Sequence, residues 1–110
     1  MKINPSLPRP SETDSFAAML DLTQHLPQDD LWMDDYAATM GWEALCGYYD
    51  RVFRRLMLMQ PGEELHVARE VRPENYDLFL KCACAAIREL PFLFFGAWHI
   101  EQRGTVILRS

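Results

Sequence analysis

The sequence predicts an α+β fold, mainly helical, that closes with a small antiparallel sheet at its C-terminus. Three observations carry this. Residues 42–59 and 73–90 repeat apolar side chains at steps of three and four, the period of a helix with one buried stripe. Residues 64–71 and 94–109 alternate as strands do. With 110 residues, 49% apolar and 25% charged, the chain has material for one core and not for two. The expected layout is a Pro-rich tail over 1–10 and a single domain over 11–110.

Pro5, Pro8 and Pro10 deny the tail regular hydrogen bonding. Ser11 then offers a capping hydroxyl ahead of Glu12 and Asp14, and Phe16, Met19, Leu20 and Leu26 follow at helical spacing before Pro27. A short helix is expected over 12–25. A second runs from about residue 28 to Met40, with Gly41 as a bend or cap. From there Trp42, Leu45, Tyr49, Val52, Leu56 and Met59 form one stripe, and Pro61-Gly62 stops it.

Leu65, Val67, Arg69 and Val71 alternate against Glu64, His66, Ala68 and Glu70, which predicts a strand over 64–71. Pro73 suits a first helical position, and Tyr76, Leu80, Ala83, Ile87 and Leu90 continue that helix until Pro91 ends it. The small run Cys82-Ala83-Cys84-Ala85-Ala86 lets another element approach closely. A hairpin completes the chain. Phe94, Gly96, Trp98 and Ile100 lie on one strand face, Gln102-Arg103-Gly104 turns, and Thr105 to Arg109 returns; the hairpin is expected to pair with strand 64–71 in a small three-stranded sheet.

The N-terminus has no apolar run after Lys2, and Leu90–Ile100 is half of the ~20 residues that a spanning helix needs. A soluble, cytoplasmic protein is therefore expected, with no membrane partner. Three cysteines, Cys46, Cys82 and Cys84, cannot all pair within one chain and read as reduced thiols.

Catalysis finds little support in the residues. His25, His66 and His99 fall on three different predicted elements, and no GxSxG, P-loop or GxGxxG run is present. Cys82-x-Cys84 is a poor zinc pair, because side chains two apart on a helix diverge by about 200°. No enzyme activity, cofactor, metal or small-molecule substrate is expected.

Charge divides the chain. Sixteen acids against eleven bases leave −5 overall, but residues 1–50 carry −7 and residues 51–110 carry +2. Asp29, Asp30, Asp34 and Asp35 surround Leu31, Trp32, Met33 and Tyr36, a mixture suited to docking against a protein, with Trp32 and Tyr36 as anchors or as caps on the chain's own core. On helix 42–59, Asp50 and Arg54 form a favourable pair four apart, while Arg51 and Arg55 repel. They need an anion: a phosphate, a partner's carboxylate or the four-aspartate cluster, of which the cluster is the simplest.

After residue 41 the predicted order of helix, strand, helix and hairpin resembles a winged helix with one helix missing or merged. That resemblance implies a DNA-binding regulator. Arg103 would sit at the tip of the wing, and Arg51, Arg54, Arg55, Arg69, Arg72, Lys81 and Arg88 would be available to phosphates. Ala37-x-x-x-Gly41 has helix-turn-helix spacing, but Gly47 stands where that motif requires an apolar residue. The first expectation is thus a non-enzymatic interaction or accessory protein that binds a protein partner or forms a homodimer. DNA is the second.

Overall fold

The computed structural model describes Pro27 and residues 29–110, so the expected tail over 1–10 and the helix expected at 12–25 lie outside the described residues. The elements are α1 (Trp32–Met40), α2 (Trp42–Met57), β1 (Glu64–His66), α3 (Val67–Glu70), α4 (Tyr76–Leu93), β2 (Trp98–Glu101) and β3 (Val106–Arg109). The fold is α+β and mainly helical, with one three-stranded antiparallel sheet.

Asp29 Oδ1 accepts the Leu31 N–H at 3.0 Å, and Asp34 and Asp35 place negative charge in the first turn of α1. Gly41 ends the helix with φ at 90°, a region that side chains with a Cβ avoid, so a single residue redirects the chain into α2. In α2 the expected stripe buries Leu45, Val52 and Leu56, and Met59 follows beyond the helix end. Trp42, expected in that stripe, is more than half exposed. Helical side chains lean toward the N-terminus, so a first-turn residue points past the end of the packed surface.

The strand expected at 64–71 is only three residues long, and Val67–Glu70 instead makes one helical turn. Val67 and Val71 share a face under either period, being an even number apart on a strand and i,i+4 on a helix. Arg69 decides between them. A strand would carry Arg69 inward with the valines, whereas the turn leaves it exposed.

Pro73 opens a 3-10 turn, Pro73–Asn75, from which α4 begins. Pro91 was expected to stop this helix but lies within its last turn, which continues to Leu93. Near a C-terminus a proline forfeits one hydrogen bond without preventing the next, and Phe94 N donates to the Leu90 carbonyl at 2.9 Å. The hairpin strand expected from Phe94 accordingly starts only at Trp98.

The sheet order is β1-β3-β2, with β3 in the centre. Leu65 pairs with Ile107 on one side, and Ile100 pairs with Ile107 on the other. Gln102, Arg103 and Gly104 all take positive φ in the connecting turn. The core joins Leu45, Val52, Leu56 and Met59 to Phe79, Cys82, Ala83, Ala86 and Leu90 of α4 and to Leu65, Trp98 and Ile107 of the sheet. The small side chains of α4 allow α2 to come close. Trp98 Nε1 donates to the Leu56 carbonyl at 2.8 Å, fastening the sheet to the end of α2.

Candidate interaction surfaces

The acidic segment lies along α4. Trp32 is buried in the core, with its ring edge-on to Tyr36 at 6.1 Å. The Tyr36 hydroxyl donates to Asp77, which also receives Lys81 Nζ at 2.8 Å, and that ammonium stands 5.6 Å over the Tyr36 ring. Just before α1, Arg88 donates to Asp30 and to the Pro27 carbonyl. Of the four clustered aspartates Asp30 alone has an ion pair among the described residues; Asp29, Asp34 and Asp35 are exposed.

The cluster therefore does not answer Arg51 and Arg55, as the simplest reading of the sequence expected. Arg55 is answered by Glu70, with Nε–Oε1 at 3.0 Å and Nη2–Oε2 at 3.3 Å, and more loosely by Glu63 at 3.8 Å. The reason is the helical turn of α3, which puts Glu70 opposite α2. Arg54 meets Asp50 at 3.0 Å, as its spacing implies, and Arg51 lies over the Tyr48 ring at 5.6 Å.

The eight basic candidates fall into separate groups. Arg51 and Arg55 line a cleft of about 190 Å³ with Tyr48, Val52, Glu70, Val71 and Phe79. Arg69 and Arg72 line a second depression, which shares Glu70 and Val71 with that cleft, together with Pro73 and Tyr76. Lys81 and Arg88 are engaged beside α1, Arg54 is paired on α2, and Arg103 is at the hairpin turn. Among the described residues Arg51, Arg69 and Arg72 have no carboxylate within ion-pair distance.

The sequence reading missed the most exposed apolar surface. Phe92 is 88% exposed, Leu93 63%, Phe94 39% and Phe95 98%. They form a ridge where α4 ends, beside a groove of about 160 Å³ that also touches Pro91. A signal existed. Residues 90–98 contain no charge, and a strand there would have been apolar on both faces while the core covers only one.

Arg109 fixes this ridge to the fold. Its Nη2 donates to the Phe95 carbonyl at 2.7 Å, its Nη1 to the Met57 and Met59 carbonyls, and its guanidinium lies 4.5 Å over the Trp98 ring. The connection bearing exposed Leu58 meets the same guanidinium. Gly96 has φ at 112°, and a Cβ there would stand 3.3 Å from Arg109 Nε and from the Ser110 carbonyl. Ser110 N closes the frame on the Ala97 carbonyl at 2.9 Å.

Burial favours the neutral form of one thiol and three phenols. Cys82, inside the α2–α4 contact, is pushed by burial from 9.0 up to about 12, far from the thiolate that a nucleophile or ligand requires. Burial likewise raises Tyr49 to about 12, with Glu89 and Asp30 adding to it. Burial is also the leading cause at Tyr36, ahead of the Asp77 hydrogen bond, and at Tyr48. His66 Nε2 is 3.4 Å from Glu64 on β1, and His99 is exposed on β2. Among the described residues no three His, Cys, Asp or Glu side chains group to hold a metal, and no helix is long and apolar enough to cross a membrane. Comparison with protein-family models, curated proteins and solved structures returns no match for this chain.

Proposed function

We propose that this chain is a non-enzymatic interaction or accessory protein that acts by docking against another protein surface. The observation that carries the reading is the ridge at Phe92–Phe95. Leaving a phenylalanine in water forgoes about 1.5–3 kcal/mol relative to burial. Contiguous exposed apolar surface of this kind marks binding sites, and aromatic side chains are the commonest anchors of protein interfaces. The ridge is also held in place by Arg109, so ordering it costs little at the moment of binding. A photo-crosslinking amino acid at position 95, used in cells that express the full chain, should give a discrete protein adduct. Adducts with lipid alone, or none, would overturn the reading.

A second reading, a winged-helix-like DNA-binding regulator, is favoured by the pairing of β1 and β2 on either side of β3 behind a helix–strand–helix order. Arg69 and Arg72 before α4 and Arg103 at the hairpin turn supply the positive charge. Against it, Lys81 and Arg88 on α4 are already engaged by Asp77 and Asp30. Titration with duplex DNA at low and moderate salt tests it: affinity falling steeply with salt supports it, and absent or salt-insensitive binding removes it.

A further inference from the structure

We propose that the Phe92–Phe95 ridge pairs with the same ridge of a second copy of this chain, forming a two-fold homodimer. This rests on the interaction reading above and commits it to one occupant. Three observations favour a second copy.

The first is area. With aromatic side chains burying roughly 150–250 Å² each, the exposed parts of Phe92, Leu93, Phe94 and Phe95 present about 550 Å² per copy. Mutual contact can remove up to about 1,100 Å² from water, which reaches the ~1,000 Å² that a specific interface requires. Exposed Leu58, whose connection meets the guanidinium that holds the Phe95 carbonyl, adds to this.

The second is shape. A two-fold contact needs a projection and a recess on the same surface, so that one residue meets another and the reverse holds on the partner. The ridge has both. Phe95 projects almost wholly into solvent, and the adjoining groove measures about 160 Å³. A cavity of ~150 Å³ accommodates a benzene ring, so the groove has room for one aromatic ring of the other copy.

The third is charge. In a two-fold contact a charged residue near the axis faces its own like, which is repulsive. From Leu90 to Trp98 no side chain is charged, although the chain as a whole carries −5. Arg109, which holds the Phe95 carbonyl, is turned inward onto three carbonyls and a tryptophan ring. A surface shaped for an oppositely charged partner would carry charge, and an anionic lipid surface would be repelled by the net charge.

The test is sedimentation equilibrium of the full chain at roughly 50 µM, beside Phe92→Ser/Phe95→Ser and the conservative Phe95→Leu. The wild type should be a dimer. The double variant should be a monomer, its dissociation constant raised at least ~100-fold by loss of two anchors. At a concentration low enough to dissociate the wild type, the two melting temperatures should agree within about 3 °C, since both side chains are exposed in the monomer. Phe95→Leu should keep most of the dimer. A wild type monomeric at ~200 µM, or a dimer that survives the double substitution, overturns the proposal, as does aggregation without fixed stoichiometry. The interaction reading falls separately. A monomer whose position-95 crosslinker captures a different protein leaves that reading standing, whereas a monomer that binds neutral phosphatidylcholine vesicles and captures no protein sinks both.

Discussion

At the end of α2 the last carbonyls lack intrahelical partners, and a cation near them is favoured by the helix dipole. Arg109 meets that need from the opposite end of the sequence, reaching the Met57, Met59 and Phe95 carbonyls while stacked on Trp98. Arg109→Ala should therefore cost roughly 2–3 kcal/mol, read as a lowered denaturant midpoint. Arg109→Lys should recover less than half of that, because an ammonium has neither the planar fork nor the flat face. A loss under ~0.5 kcal/mol for the alanine change would show that the carbonyls are as well served by water. Cys82 gives a second residue-level expectation. Unfolded, its thiol releases a proton near its ordinary 9.0; buried, it does so only near about 12. Between those values the unfolded chain holds fewer protons than the folded one, so stability falls as pH rises through the window and levels off above it. Replacing Cys82 with Ala should make the decline shallower by up to about 1.4 kcal/mol per pH unit, measured by urea unfolding from about pH 8.5 to 11. Identical slopes in the two proteins would contradict the assigned burial.

Among the elements, α1 has the ambiguous sequence, because acids alternate with large apolar groups in a way that suits either a docking segment or a lid on the core. The structure makes it a lid. Trp32 and Ala37 are buried, and Tyr36 at its middle and Asp30 just before it fasten it to α4. Trp32→Ala should cost about 3–4 kcal/mol of stability while leaving the association constant of the folded protein unchanged. Trp32→Phe should cost much less, since the buried Trp32 Nε1 has no hydrogen-bond partner among the described residues and its loss leaves nothing unpaired. Weakened association at unchanged stability would return Trp32 to the role of an external anchor. The long helices were legible because a stripe sustained over four or five turns fits one period only. The short segments were not. Val67 and Val71 satisfy both periods, and a proline near a helix end forbids one hydrogen bond rather than the next turn. The ridge was missed because a strand was expected from Phe94, whereas the helix runs on to Leu93 and the strand begins only at Trp98.

On the scale of the whole molecule, the −5 net charge conceals an acidic front and a mildly basic remainder, and the fold pairs them only in part. The front meets α4 through Asp30 and Arg88, while Arg54 and Arg55 of α2 are answered by Asp50, Glu63 and Glu70 from the same half of the sequence or its border. Among the described residues Arg51, Arg69 and Arg72 are left around the α3 turn without a carboxylate, and the uncharged ridge is left at the end of α4. The sequence by itself determined the fold class, the two long helices, the three-stranded sheet and the cap at Gly41. Each of these follows from local periodicity or from a backbone angle that few residues tolerate. Only the tertiary structure decided that β3 is central, that Trp32 belongs to the core, that Glu70 rather than the aspartates holds Arg55, and that Phe92–Phe95 stands in solvent. Those outcomes depend on which surfaces meet across long stretches of chain. Apolar character tells that a side chain prefers to be covered, and packing tells that, among the described residues, nothing covers this ridge.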